Sequence, residues 1–139
     1  MKQVSKELLT ILSVGSFFYL LDITLHKERY LLCWNLSTQV ALWFHHIYYI
    51  FAMFGWLCND KRVLTLYCLA VICSLVHWAG NDDKCGWTQW LNKKCQTKGG
   101  LRTFMSYLNI GGEPKTYRRY QKLWYIAGLL IALYKLSRL

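Results

Sequence analysis

Four ionisable side chains fall inside long apolar runs of this sequence: Asp22, His45, His46 and His77. A charge in hydrocarbon is costly, so each of them calls for a reason. Histidine can ligate a metal or haem, or pass a proton near neutral pH, and a nearby carboxylate would orient the ring. The spacing lets them meet. His45 lies fourteen residues before Asn59 and His77 fifteen after Arg62, so in helices both stand roughly 20 Å from the turn between those residues. Asp22 closes the preceding run on the same side. The chemical reading is a metal site, a haem between two histidines, or a proton relay. The plainer reading is neutral histidines hydrogen-bonded between helices, with Tyr48, Tyr49, Ser74 and Thr24 as partners. No ligand spacing such as H-x-x-x-H occurs, which favours the plainer reading, with no metal and no cofactor.

Other chemistry finds less purchase. There is no G-x-S-x-G nucleophile elbow and no phosphate-cradling glycine loop. Asp82-Asp83 is followed at once by Lys84 and reads as a solvated helix end. None of the six cysteines forms a C-x-x-C pair. Cys68 and Cys73 fall within the third apolar run, Cys58 ends the second, and Cys33 lies between the first two. Cys85 and Cys95 share one polar segment and are placed for a disulfide. Nothing here demands an enzyme.

The elements that must position these residues are apolar runs at 8–25, 36–58, 63–80 and 123–136. The 139 residues are 55% hydrophobic, 17% aromatic and only 17% charged, against roughly a quarter charged in an average globular chain. A bilayer core of about 30 Å needs about 20 helical residues, which the first three runs supply. The fourth is shorter and ends at Lys135. Lys122 and Lys135 could snorkel to opposite interfaces, or the helix could extend back through Tyr117 and Tyr120. The third run is apolar all round, and none shows the alternation of a membrane β-barrel. The expected architecture is all-α: one membrane domain over residues 1–139, with about four transmembrane helices and short interfacial helices in its third loop. The Asn59–Arg62 link makes the second and third helices antiparallel neighbours. The first run lacks a small-x-small cleavage pattern and reads as a retained anchor. Asn35-Leu-Ser37 matches a glycosylation sequon, but it abuts the second run.

The formal charge of +10 is unevenly spread, and nine of the 17 Lys and Arg residues lie in 81–122. With four spans, eleven basic residues fall on the side of the first and third loops and six on the other. That bias assigns the basic loop to the cytoplasmic side and favours free thiols in it. Within the loop, residues 86–91 and 101–108 suit helices lying in the interface. Trp78, Trp87, Trp90 and Trp124 would anchor at headgroup depth. Lys93, Lys94, Lys98, Arg102, Arg118, Arg119 and Lys122 would contact anionic lipid headgroups or protein partners. Tyr117-Arg-Arg-Tyr-Gln-Lys122 interleaves aromatics with cations, a pattern read as a membrane anchor in preference to a nucleic-acid surface.

One segment carries a resemblance. His77, Trp78, Asn81, Cys85 and Thr88 follow a pattern in which a span ends in His-Trp, an Asn follows, and a Cys precedes a Thr by three residues. In this respect residues 77–88 resemble small polytopic membrane proteins of nucleocytoplasmic large DNA viruses, the algal viruses among them. Gln89, Trp90 and Leu91 stand where an acidic residue usually follows. The resemblance implies a structural component of the virion's internal membrane, or of a host endomembrane during assembly. Its partners would be capsid or other viral membrane proteins, self-association being compatible with the role. It implies no activity. The alternatives are a small membrane redox or metal enzyme using the histidine cluster, and a channel or transporter subunit with Asp22 and the histidines along its pathway.

Overall fold

A computed structural model describes residues 2–25, 35–95 and 114–139, with side chains from Lys6 in the first stretch and from Arg118 in the last. Every regular element among them is helical: α1 (Lys2–Leu25), α2 (Leu36–Phe54), α3 (Lys61–Ala79), α4 (Gly86–Cys95) and α5 (Pro114–Arg138). A 3₁₀ turn, Gly55–Leu57, extends α2. Local chemistry sets the boundaries. The Asn35 side chain accepts from Ser37 N at 2.9 Å and starts α2. The Asp60 carboxylate accepts from the amides of Arg62 and Val63 and starts α3. Both are N-caps of the preferred kind. After α3, Asp82 and Asp83 take left-handed φ values of 48° and 60°, which Asp tolerates better than most residues, and the chain turns into α4.

Three helices are long and apolar enough to cross a membrane: Lys6–Leu25, Leu36–Leu57 and Lys61–Ala79. The fourth expected span falls within α5, which does not meet that measure. Arg118, Arg119, Lys122 and Lys135 interrupt it, and the thirteen residues from Lys122 to Lys135 rise only about 20 Å. α5 nevertheless packs along the other helices. One core joins Tyr49, Ile50, Ala52 and Met53 of α2, Leu64, Tyr67, Cys68 and Val71 of α3, and Tyr125 and Ala132 of α5. Trp78 stacks on Tyr125 with ring centres 5.2 Å apart.

The two lysines that bracket the apolar part of α5 reach opposite ends of α3. Lys122 pairs with Asp83 just beyond its last turn. Lys135 donates to the carbonyls of Trp56, Leu57 and Cys58 at 3.2, 3.4 and 2.5 Å, just before its first turn. These carbonyls close the end of α2, where helical geometry leaves acceptors without partners. The indoles of Trp56 and Trp124 both donate to Met53 O, at 3.0 and 2.7 Å. From the other side, the Glu7 carboxylate of α1 accepts from Asn59 N at 3.0 Å and Asp60 N at 3.3 Å. The α2–α3 turn is thus held by an anion from α1 and a cation from α5.

α1 crosses α2 at a small residue. A Cβ on Gly15 would stand 2.7 Å from Ile47 Cα, so the backbones approach as closely as glycine permits. We expect Gly15→Ala to destabilise the bundle by about 1–3 kcal/mol through overpacking. Gly80→Ala, whose added Cβ would meet nothing nearer than 3.8 Å, should leave stability nearly unchanged. Unfolding midpoints of both variants in mixed micelles check the contrast.

Candidate functional site

The polar residues of α1 and α2 face one another along their seam. Tyr19 Oη donates to Gln39 Oε1, and Trp43 Nε1 donates to Ser16 Oγ, each at 2.9 Å. Between these helices lies the one buried acid–base pair among the described residues. His46 Nε2 stands 2.9 Å from Asp22 Oδ2, with the two residues 4% and 1% exposed.

The other ring nitrogen fixes the proton count. His46 Nδ1 is 2.8 Å from Leu42 O, and a carbonyl can only accept, so Nδ1 carries a proton. The Nε2···Oδ2 contact then holds one further proton, on the ring or on the carboxyl. Either way the pair is neutral overall, which is how an acid and a base can share a low-dielectric site. Tyr19 packs edge-on against the His46 ring.

The four ionisable residues do not form one cluster. Asp22 and His46 pair directly. His45, the neighbour of His46 in sequence, is half-buried and stacks on Trp87 of α4, with ring centres 6.3 Å apart and planes 21° apart. His77 is exposed, and its Nε2 accepts the Gly86 amide at 3.0 Å. Both rings therefore meet the first turn of α4, so the shared level expected for them holds while the shared site does not. A Cβ on Gly86 would come within 2.9 Å of His77 Nε2, so a larger residue there would push the His77 ring aside. Among the described residues no three His, Cys, Asp or Glu side chains are grouped so as to hold a metal ion. The expected histidine partners are engaged elsewhere: Tyr48 with Ala70 O and Ser74 of α3, and Thr24 with Leu21 O.

α4 covers this end of the seam. Its Leu91 and Cys95, 1% and 3% exposed, pack with Leu42 around Tyr19, Ile23 and Ala41. Trp87 Nε1 donates to Ala41 O at 3.1 Å. Asn81 braces the approach by donating to Lys84 O and to Gln89 Oε1. Of the expected anchors, Trp78 lies against α5, Trp87 against α2, and Trp124 on the end of α2, while Trp90 is free of such contacts at 44% exposed. Lys93, Lys94 and Arg119 are exposed, Arg118 is half-buried and Lys122 is paired with Asp83. Lys98, Arg102 and the helix expected at 101–108 lie outside the described residues.

The two cysteines of the polar segment differ in state. Cys85 is free, whereas Cys95 is disulfide-bonded. Disulfides persist in oxidising compartments. The bonded Cys95 and the distribution of basic residues therefore argue for opposite orientations of the α4 end. At the other end Cys58 is a free thiol beside the Glu7 carboxylate. Burial, with the Glu7 charge second, pushes this thiol up from 9.0 to about 11. The residues that the sequence reading missed, Glu7, Gln39 and Ser16, are ordinary polar residues in or beside apolar runs. That placement was the only signal they gave.

Two expectations follow. Removing one member of the buried pair strands the other, so Asp22→Leu or His46→Leu should each cost about 3–5 kcal/mol, while the double replacement should recover most of the loss. A double-mutant cycle on unfolding midpoints measures the coupling. For Cys58, the folded chain keeps its proton between about pH 9 and 11 while the unfolded chain loses it. Its contribution to stability therefore falls as pH rises through that window. Alkylation followed by peptide mass spectrometry should show Cys58 reacting more slowly than in the denatured chain, and faster after Glu7→Gln.

Comparison with family models, with curated proteins and with solved structures finds no match to this chain.

Proposed function

We propose that this chain is a structural protein of a membrane, a helical bundle that crosses the bilayer and presents a basic face at its α4 end. The observation that carries the reading is how the polar side chains within the apolar helices are used. Asp22 and His46, Trp43 and Ser16, Tyr19 and Gln39, and Tyr48 and Ser74 each join one helix to another. Such contacts fasten helices to one another. In this reading α5 is the fourth span, its lysines drawn to the two ends of α3 and its apolar middle against the core.

The face left for partners is the one richest in cations. Residues 81–122 hold nine of the 17 basic residues, and Lys93, Lys94 and Arg119 are exposed. The resemblance of His77–Thr88 supports a finer reading, an internal membrane lying beneath an icosahedral capsid, with the basic face against lipid heads and capsid-associated proteins. His77 and Asn81, two residues of that pattern, build the turn that sets α4 in place, so the segment serves to present the basic face.

The test is mass spectrometry of purified particles and of membranes from the producing cells. The chain should be recovered with capsid proteins in fixed proportion. Charge reversal of Lys93, Lys94, Arg118 and Arg119 together should cut that recovery several-fold, while His77→Gln should cut it less. Undiminished recovery after the fourfold reversal would overturn the proposed contact face. Absence from particles would overturn the viral reading.

A further inference from the structure

α4 differs from the other helices in length, composition and placement. It has ten residues, Gly-Trp-Thr-Gln-Trp-Leu-Asn-Lys-Lys-Cys, without a carboxylate. One side is fixed to the bundle. Trp87 bonds to Ala41 O, Leu91 and Cys95 are buried, and the Gly86 amide is taken by His77. Its contacts also give its depth. Ala41 lies five residues inside the start of α2 and Ile23 two residues inside the end of α1. At 1.5 Å per residue these positions are about 8 Å and about 3 Å from the helix ends. Amphipathic helices that lie in a membrane interface sink their apolar face about 5–10 Å.

The exposed arc of α4 that adjoins Trp87 carries Trp90 and, one turn later, Lys93 and Lys94. Trp90 is 44% exposed and both lysines are exposed. Neither lysine has an ion-pair partner among the described residues. The carboxylates that precede α4 are already engaged, Asp82 by Lys84 at 3.7 Å and Asp83 by Lys122. An indole at headgroup depth beside two unpaired ammonium groups matches one occupant in both polarity and charge: the phosphate of an anionic lipid, with its glycerol and upper acyl carbons against the ring. We propose that α4 is an interfacial helix that holds anionic lipid headgroups through Lys93, Lys94 and Trp90. This rests on the reading of the chain as an integral membrane bundle, and it names the ligand of the basic face.

The test uses the full chain in neutral detergent, titrated separately with phosphatidylglycerol and phosphatidylcholine and read by native mass spectrometry. The wild-type protein should retain phosphatidylglycerol in preference to phosphatidylcholine. Lys93→Gln with Lys94→Gln should weaken phosphatidylglycerol binding about thirtyfold, from ~1 kcal/mol per lysine, and leave phosphatidylcholine binding unchanged. Lys93→Arg with Lys94→Arg should keep the preference, and Trp90→Ala should reduce it. Equal preference in the wild type and the double Gln variant would overturn the proposal. So would displacement of the lipid by inorganic phosphate at matched concentration, which would mark a phosphate site indifferent to lipid. Failure to bind either lipid, in a chain soluble without detergent, would overturn the membrane reading itself.

Discussion

A helix end leaves carbonyls without partners inside the helix, and the bundle is arranged around satisfying them at one place. The acceptors at the end of α2 are met by Trp56 and Trp124 at Met53, and by the Lys135 ammonium over the next turn. A cation at the carbonyl end of a helix also meets the negative pole of its dipole. Because Trp124 and Lys135 belong to α5, capping α2 fixes where α5 lies. Glu7 completes the arrangement by taking the amides of Asn59 and Asp60 for α1. Three helices are thus registered against one short turn by groups that would be orphaned without them.

The same economy governs the interior. Asp22 and His46 would be costly alone, and together they hold charge balance with a single proton between them, because Leu42 O fixes the other ring proton. The pair sits beside Tyr19–Gln39 and Trp43–Ser16 and above the close crossing at Gly15. Side-chain hydrogen bonds and small residues, not apolar contact, give a helix–helix seam its specificity when the surroundings are as apolar as the helices. α4 then closes the seam from one end, with its own start fixed by His77.

Much of this was legible in the sequence, and the losses have a physical pattern. Three helices long and apolar enough to cross a membrane followed from run length, and the antiparallel pairing of α2 and α3 from the four-residue link. Counting residues from that link brought His45 and His77 to the same level, where both now meet α4. The same counting could not tell which histidine faces Asp22. Adjacent helical residues point about 100° apart, and runs that are apolar nearly all round give no inward face to read. His46 was therefore inseparable from His45. The fourth run does not reach the length and apolarity of the other three, because the basic residues of α5 break it. The free thiols favoured for Cys85 and Cys95 hold for Cys85 alone, because closeness in sequence says little about which thiols pair. Glu7 and Lys135 escaped as caps because the groups they meet are backbone, which has no sequence signature.

The central claim is that the outward faces of α1, α2 and α3 meet lipid while their polar groups fasten the bundle. Spin labels at Leu12, Phe44 and Leu69, exposed by 40%, 51% and 56% near the middle of each helix, test it directly in reconstituted bilayers. The account predicts that all three labels collide freely with oxygen and are shielded from a water-soluble nickel complex. Ready access of the nickel complex to the three sites would contradict it, and would make these helices the surface of a bundle in water.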